Sequence, residues 1–466
     1  MMPRLYLAAA HKSSGKTIVT LGLARTLRER GDTVACFKKG PDYIDPMWLR
    51  QAGGHDCFNL DFNTQSPAEI HALLMQASAG ADITLIEGNK GLHDGLDLHG
   101  ADANAALAKQ LAAPVVMVVD TRGMTRGIAP LLLGFQAFDT DVRFAGVILN
   151  QVGGTRHERK LRAALQTYTD IPVLGTLPRC DELNIDERHL GLIPSHEHTD
   201  AAQCIARIAH RVGQSLDLDA LRAAAGQAPA LPPAASTPPA PDTSAAPPVR
   251  IAIARDAAFG FYYPDDLQSL ARAGARLIPF SPLRDRQLPD CDGLLIGGGF
   301  PETHLHALQA NTAIRHDIHQ RLRHGLPAYA ECGGLMYLCR TIRWHDRQAD
   351  MVGIIAADVT LAPRPVGRGY VRIRQTADHP WPAAAAQPLA AHEFHHSHLG
   401  ALPPDSRFAY HIVRGHGIDG RHDGLLTHRL LASYAHLRSV AGNDWTQRFV
   451  AYVRNIARNG ATGDAR

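Results

Sequence analysis

The sequence lacks paired cysteine motifs and has no apolar run long enough to cross a bilayer. Its seven cysteines are an odd number without C-x-x-C spacing, which argues against a disulfide framework and a zinc ribbon. Lys12 and Lys16 interrupt the apolar N-terminal stretch, which therefore does not resemble a secretory signal peptide. We expect a cytoplasmic protein without a membrane partner.

The sequence also lacks a strong charge bias. Lys and Arg number 48 against 45 Asp and Glu, and the net charge of +3 gives no reason to expect a nucleic-acid partner. With 466 residues and a 45% apolar composition, the chain is too long for one hydrophobic core and has enough apolar residues for two. We therefore expect two domains.

Proline is concentrated in one segment. Residues 229–248 contain eight prolines among Ala, Ser and Thr, a composition that cannot form a packed core and favours extended chain. We predict domains at 1–225 and 250–466, joined by a linker at 226–249. In both domains strand-like apolar runs alternate with helical patterns, which predicts α/β folds with mostly parallel sheets. The clearest predicted strands are Thr33–Phe37, Ile83–Glu87, Val115–Asp120, Phe144–Asn150, Val173–Gly175 and Arg250–Ala254.

A candidate phosphate-binding loop follows the first apolar run. Gly15, Lys16 and Thr17 complete the pattern GxxxxGKS/T, although Ala10 stands where the pattern has its first glycine. In that pattern backbone amides and the lysine bind phosphates, and the hydroxyl coordinates Mg²⁺. A helix start rich in Ser and Gly is the alternative interpretation. Because a strand precedes the loop and a helix is predicted over Ile18–Glu29, the pattern favours an ATP site.

Acidic residues follow two of the predicted strands. Parallel sheets bind ligands at the carboxyl ends of their strands, and Mg²⁺ prefers oxygen ligands, so Glu87 is a predicted metal ligand. Asp94 lies in the next glycine-rich loop, as a polar contact or a turn former. The segment KKGPDYIDP, residues 38–46, is either an ordinary turn or places Asp42 and Asp45 beside phosphate, metal and an anionic substrate.

A candidate nucleophile lies in the second domain. Cys332 is flanked by Ala330, Gly333 and Gly334, as a sharp strand-to-helix turn requires, and such a turn presents its side chain to a reacting carbonyl. The upstream glycines 297–299 could supply an oxyanion hole. A buried structural cysteine is the alternative. We predict Cys332 as a nucleophile.

A cysteine nucleophile needs a general base, and the sequence contains 26 histidines. His392, His395, His396 and His398 cluster together, but without cysteine or acidic partners at a recognised metal-ligand spacing, which disfavours a metal site. His436 follows an apolar strand late in the domain, where the chain can return to the cysteine. We predict His436 as the base.

Several motifs together resemble one family. SSGKT, KGPDYIDP, EG followed by GLxDG, ERHLGL at 187–192, GGGFPE, YAECGGLMYL, HEFHHS and ASYAHL occur in the order typical of cobyrinic acid a,c-diamide synthases, including the hydrogenobyrinic acid form. The resemblance spans almost the whole chain apart from the linker and the C-terminal tail. It implies a dethiobiotin-synthetase-like P-loop domain with a parallel sheet, and a class I glutamine amidotransferase domain of the triad type.

The resemblance also implies a reaction and roles for individual residues. ATP with Mg²⁺ would activate carboxylates of a corrinoid polycarboxylate in cobalamin biosynthesis, and ammonia from L-glutamine would amidate the a and c acetates. The implied roles are Cys332 as glutaminase nucleophile, His436 as its base, Lys16, Thr17 and Glu87 for MgATP, and Asp42, Asp45 and Asp94 around the corrinoid carboxylates and the metal.

Several alternatives stay open. Leu437 and Arg438 follow His436 where class I amidotransferases carry Pro-Glu, so the third triad member is not identified. A cobyric acid synthase would share both domains, although ERHLGL and KGPDYIDP argue against it, and a nickel sirohydrochlorin a,c-diamide synthase would be nearly indistinguishable. A nucleotide-switch binding protein with an inactive amidotransferase module is disfavoured by the intact Cys332. The sequence leaves a homodimer open, and it does not reveal the metal of the ring or the order of amidation.

Overall fold

A computed structural model describes most of the chain as two compact units, residues 1–237 and 238–466, whose boundary falls within the predicted linker. The centre of that linker and part of ERHLGL lie outside the described residues. Within the described residues, no helix is both long and apolar enough to cross a membrane. The positions not described are Met1, Asp181, Glu182, Asn184, Asp186, His189, Leu190, Thr199, 234–246, Ala386 and 464–466.

The first unit is built on a seven-stranded parallel sheet in the order β3-β2-β4-β1-β5-β6-β7. Its strands are β1 (Arg4–Ala9), β2 (Val34–Lys39), β3 (Cys57–Leu60), β4 (Ile83–Glu87), β5 (Val115–Asp120), β6 (Phe144–Val152) and β7 (Val173–Pro178), with the short pair β8 (Glu187–Arg188) and β9 (Gly191–Leu192) apart from the sheet. Its helices are α1 (Lys16–Glu29), α2 (Ile44–Gly53), α3 (Pro67–Ala77), α4 (Asn104–Gln110), α5 (Ile128–Phe138), α6 (Thr155–Tyr168), α7 (Ala201–Ser215) and α8 (Leu218–Gly226). The predicted parallel α/β fold is confirmed here, and β4 and β5 have the predicted bounds.

Both faces of this sheet are covered. In β1, Leu5 and Leu7 belong to one apolar cluster, while Tyr6 and Ala8 belong to the cluster on the opposite face. Side chains alternate between the faces of a strand, so a strand buried on both sides becomes a continuous apolar run. Because the strands are parallel, their carboxyl ends meet at one edge of the sheet. At that edge Lys38 of β2 is the register partner of Glu87 of β4.

The second unit has a nine-stranded sheet in the order β11-β10-β12-β13-β22-β21-β20-β17-β18 and a four-stranded sheet in the order β15-β14-β16-β19. Its strands are β10 (Val249–Ala254), β11 (Ala275–Phe280), β12 (Gly293–Ile296), β13 (Ala328–Glu331), β14 (Cys339–Trp344), β15 (Arg347–Asp350), β16 (Ile355–Leu361), β17 (Gly367–Gln375), β18 (Leu389–His395), β19 (Ser397–Leu399), β20 (Arg407–Arg414), β21 (His422–Thr427) and β22 (Leu430–Ser433). Its helices are α9 (Pro264–Arg272), α10 (Leu305–Ala310), α11 (Thr312–Arg323), α12 (Gly333–Leu338) and α13 (Trp445–Gly463), with a 3₁₀ turn at Pro301–His304.

The expectation of a mostly parallel sheet is wrong for this second unit. β11, β10, β12, β13 and β22 pair in parallel, but β22, β21, β20, β17 and β18 pair antiparallel. A parallel pair needs a crossover of about a dozen residues or more. The turn between β21 and β22 is far too short for such a crossover and can only make a hairpin. The α/β class itself is confirmed, because helices connect the parallel strands of this sheet.

Gly22 is the point of close approach between α1 and α7. A Cβ placed there would overlap Val212 Cγ2 and lie 3.1 Å from Ile208 Cγ2. Gly134, inside α5, has no atom within 4 Å of an added Cβ. The two glycines therefore form a matched pair, because one is required by packing and the other is not.

We expect Gly22→Ala to lower the free energy of unfolding of the first domain by about 1–3 kcal/mol, since the added methyl overpacks the helix contact. Gly134→Ala should raise this free energy by up to about 1 kcal/mol, because alanine has a higher helix propensity than glycine at an exposed position inside a helix. Thermal unfolding of both full-length variants measures the difference. A stabilised Gly22→Ala protein would contradict this account of the helix packing.

Candidate functional site

The phosphate-binding loop lies between β1 and α1. Gly15 has φ +88°, and a Cβ there would overlap the Asn150 side chain, so glycine is needed at this position. Asn150, at the carboxyl end of β6, donates a 2.9 Å hydrogen bond to the Ser14 carbonyl. Lys16 begins α1, and its Nζ donates to the Lys90 carbonyl at 2.6 Å. The loop is thus held by the strand ends around it.

Four side chains meet beside this loop. Thr17 Oγ1 donates to Glu87 Oε1 at 2.8 Å, and Lys38 Nζ lies 2.6 Å from the same oxygen. Lys38 Nζ also contacts Asp45 Oδ2 at 2.5 Å. Glu87 is fully buried and the Lys38 side chain is 4% exposed. The structure therefore brings the predicted residues Thr17, Asp45 and Glu87 together around a buried lysine.

Burial and charge shape the ionisation of this cluster. Burial and, to a lesser extent, the neighbouring charge of Lys38 together lower the pKa of Lys16 to about 8. Burial also disfavours charge on Lys38, but Asp45 and Glu87 outweigh it and raise the Lys38 pKa well above its ordinary value. Burial raises the pKa of Glu87 against the attraction of Lys38. The cluster therefore holds an ammonium ion against two carboxylates.

One oxygen of Glu87 is a candidate metal donor. Glu87 Oε2 is buried without a hydrogen-bond partner, while Oε1 already serves Thr17 and Lys38. Carboxylate and hydroxyl oxygens suit Mg²⁺. Across the described part of the chain, no three His, Cys, Asp or Glu side chains are grouped so that they could hold a metal alone. Any Mg²⁺ here would need further oxygens, such as those of nucleotide phosphates.

The other two predicted acidic residues bond to nearby backbone. Asp42 Oδ1 accepts from the amides of Ile44 and Asp45 at 2.9 and 3.1 Å, where α2 begins. Asp94 Oδ2 accepts from the Gly91 amide at 2.9 Å, as the turn-forming interpretation predicts. Burial, with the nearby charge of Asp45, raises the pKa of Asp42 to about 7. Asp42 therefore holds the segment that carries Asp45, and Asp94 shapes the loop after Glu87.

A second site is built around Cys332, between β13 and α12. Its φ of 47° and ψ of −102° are unusual for a residue with a side chain, and its amide donates to Ser433 O at 2.7 Å. An added Cβ would overlap Ile296 O at Gly334 and lie 2.8 Å from Gly299 O at Gly333. The turn thus needs small neighbours, and such strain is typical of nucleophile turns.

His436 lies beside this cysteine, just after β22. Its ring Nδ1 is 3.3 Å from Glu331 Oε2, and its ring stacks on His392 with centroids 4.8 Å apart. Burial lowers the pKa of His436, but hydrogen bonds with Cys332 and Glu331 outweigh it and raise the pKa to about 10. The structure thus joins the two predicted catalytic residues and adds Glu331, which the sequence analysis missed.

The remaining clustered histidines have different surroundings. His395 stacks on Tyr434 with centroids 3.8 Å apart, and its Nδ1 lies 2.8 Å from Ser397 O. His396 Nδ1 lies 3.2 Å from Ala362 O, and His398 is exposed. Of the four clustered histidines, His392 is the one stacked on His436.

Two side chains of these clusters, Lys38 and Glu331, were not among the site residues that the sequence analysis predicted. Lys38 is part of KKGPDYIDP, but nothing local distinguishes it from the adjacent Lys39. Glu331 directly precedes Cys332 in the sequence, yet its partner His436 is remote, and class I amidotransferases carry their acid after the histidine instead. Only the pairing of β13 with β22 brings them together.

Comparisons with known proteins identify the domain families of both units. Residues 6–193 match the family model of the CobQ/CobB/MinD/ParA nucleotide binding domain, and residues 250–443 match the CobB/CobQ-like glutamine amidotransferase domain. The chain is 44% identical to the cobyrinate a,c-diamide synthase of Magnetococcus marinus, over 97% of both chains. It is 38% identical to the enzyme of that name from Methanosarcina acetivorans, over 94% of this chain and 93% of the relative.

The Lys38 cluster can be tested by stability. We expect Lys38→Met to lower the free energy of unfolding by about 3–5 kcal/mol, because the fully buried Glu87 and the partly buried Asp45 would be left without their counter-charge. Arg25→Met, which removes the exposed pair with Glu29 in α1, should cost less than about 1 kcal/mol. Urea unfolding compares the two variants, and equal small losses would show that Lys38 is not the required counter-charge.

Proposed function

The chain belongs to the cobyrinate a,c-diamide synthase family, and from this premise we propose that it amidates the a and c acetate carboxylates of cobyrinic or hydrogenobyrinic acid, using ATP and glutamine. The reaction belongs to cobalamin biosynthesis, and the enzyme is a carbon–nitrogen ligase with glutamine as nitrogen donor. The observation that carries the proposal is that one chain holds a phosphate loop and a strained cysteine beside a buried histidine.

In the first domain, we assign MgATP to the loop at Gly15, Lys16 and Thr17. The Lys16 ammonium would face the outer phosphates, and bound phosphate would favour its charged form. The Thr17 hydroxyl and Glu87 Oε2 are the donors we assign to Mg²⁺, which when bound neutralises phosphate charge. A carboxylate is a poor acyl donor, so transfer of the γ-phosphoryl group to it gives an acyl phosphate that ammonia can attack.

The corrinoid carboxylates would be received near Asp42, Asp45 and Asp94. Three carboxylates repel an anionic substrate, so direct contact requires a cation between them. Lys38 supports this assignment, because its ammonium already bridges Asp45 and Glu87. We therefore assign Asp45 to the metal and substrate side of the cluster, with Asp42 and Asp94 shaping the loops around it.

In the second domain, Cys332 attacks the glutamine amide carbon while His436 takes the thiol proton. The tetrahedral intermediate collapses to a γ-glutamyl thioester, and His436 returns the proton to the departing ammonia. Water then hydrolyses the thioester to glutamate.

The unpaired cysteines support a reducing compartment such as the cytoplasm. Size-exclusion chromatography with light scattering tests the homodimer that the sequence leaves open.

Mass spectrometry tests the substrate assignment. Purified enzyme is incubated with ATP and glutamine and with the cobalt-bearing ring, the metal-free ring or nickel sirohydrochlorin, since each amidation changes the mass by a fixed step. Two steps on a cobyrinic-type ring support the proposal and identify the natural metal state. Amidation of nickel sirohydrochlorin alone would replace it with the nickel enzyme's function.

Cys332→Ala should uncouple the two half-reactions. Glutamine-dependent amidation should be lost, because no thioester forms without the thiol, whereas ammonia at high concentration should still give product from the acyl phosphate. Product formation with each nitrogen source is measured in the same preparation. Full retention of glutamine-dependent activity would refute the amidotransferase assignment, and loss of both activities in a folded variant would refute the division of labour.

Lys16→Ala should give the reciprocal result. Amidation should disappear with glutamine and with free ammonia, because acyl-phosphate formation precedes nitrogen transfer in both cases. Glutamine hydrolysis without ATP should remain measurable, since the glutaminase residues are intact. Ammonia-dependent amidation by Lys16→Ala at the wild-type rate would remove the loop from the proposal.

A further inference from the structure

His436 needs an orienting group, and the sequence after it supplies none of the expected kind. Leu437 and Arg438 stand where class I amidotransferases carry Pro-Glu, so Arg438 occupies the position of the acid. Arg438 instead directs its guanidinium to Asp265, at 2.9 Å from Oδ2. A carboxylate that does approach the His436 ring is that of Glu331, the last residue of β13 and the residue directly before Cys332.

We propose that Glu331 is the positioning residue of the glutaminase site and takes the role of the missing third triad member. Its Oε2 lies 3.3 Å from His436 Nδ1. With Nδ1 directed to the carboxylate, the other ring nitrogen, Nε2, is left for the Cys332 thiol. The proposal rests on the glutaminase function proposed above.

Glu331 is itself fixed in place. Its Oε1 accepts a 2.6 Å hydrogen bond from Tyr329 Oη and a 3.0 Å bond from the Leu437 amide. The residue is 7% exposed, and it is in register with Ser433 across the β13–β22 pair. One carboxylate therefore binds the ring of His436 and the backbone directly after it. A group held at this many points can define the orientation of an imidazole.

The charges around His436 are consistent with this role. Cys332 and Glu331 face the ring from β13 and its following turn, His392 faces it from β18, and Arg438 lies two residues along the chain. Burial, with the charges of His436 and Arg438, holds the pKa of His392 well below its ordinary value, so the stacked ring is neutral. When His436 accepts the Cys332 proton, the Glu331 carboxylate balances the positive charge that forms.

A second buried carboxylate in this domain serves a different purpose. Glu393 accepts from the amides of His416 and Gly417 at 2.7 and 2.8 Å, and it lies 3.7 Å from His395 Nε2. The His395 ring is stacked on Tyr434, and His436 is not among these contacts. Glu393 is therefore a matched control for the removal of a buried negative charge.

The test compares Glu331→Gln, Glu331→Asp and Glu393→Gln as full-length proteins. Glu331→Gln should lower the glutaminase kcat by about 10²–10⁴-fold, because the isosteric amide cannot balance the imidazolium or fix its tautomer. The KM for glutamine should change by less than about threefold, since Glu331 acts on the base rather than on the substrate. Ammonia-dependent amidation should equal that of the wild-type enzyme.

The two other variants separate positioning from a structural role. Glu331→Asp keeps the negative charge on a shorter stem and should recover at least about tenfold of the lost kcat. Glu393→Gln should keep a glutaminase kcat within about threefold of the wild type. Wild-type kcat in Glu331→Gln would overturn the inference, and so would a matching loss of ammonia-dependent activity, which would make the residue structural. An unmutated enzyme that hydrolyses no glutamine would instead contradict the proposed function.

Discussion

A buried carboxylate at the carboxyl end of a parallel strand is the feature on which both sites depend. Glu87 is the last residue of β4, and Glu331 is the last residue of β13. Each lies against a nitrogen group from elsewhere in its own domain, the Lys38 ammonium in the first and the His436 imidazole in the second. Parallel pairing converges strand ends at one sheet edge, so a strand-terminal carboxylate meets residues that are distant in sequence.

Burying a carboxylate destabilises the fold, and this destabilisation explains why each of the two carboxylates has close polar partners. Transfer of an ion from water to a protein interior is unfavourable by several kcal/mol, and a close counter-ion offsets it only with good geometry. Glu87 is matched by Lys38 and a threonine hydroxyl, whereas Glu331 is matched by an imidazole, a tyrosine hydroxyl and a backbone amide. The first set leaves one carboxylate oxygen without a partner, as the proposed Mg²⁺ site requires. The second set uses both oxygens, as the proposed positioning role of Glu331 requires.

Features that depend on the local sequence pattern were predicted correctly, whereas features that depend on which strands become neighbours were missed. β4 and β5 were predicted with their observed bounds because strands buried on both faces are continuous apolar runs. The strand-to-helix turn at Cys332 was predicted from its small neighbours in the sequence, and the backbone there is crowded enough to require them. The antiparallel half of the second sheet and the Glu331–His436 contact were missed, since both depend on which strands become neighbours. Glu331 was adjacent to the predicted nucleophile, but an acid after the histidine was the expected pattern.

The relative position of Cys332 and His436, the proposed nucleophile and base, is set by backbone pairing rather than by their own side chains. The Cys332 amide donates to Ser433 O, so the strained turn is tied to the end of β22. Asp423, fully buried, accepts from the Ser433 hydroxyl and from the amides of Tyr434 and Ala435, and so fixes the chain that leads to His436. Glu331 then joins the end of β13 to the amide after His436. These contacts tie the end of β13 to the end of β22 and to the chain that follows it. The backbone strain at Cys332 is therefore maintained by the same contacts that orient His436.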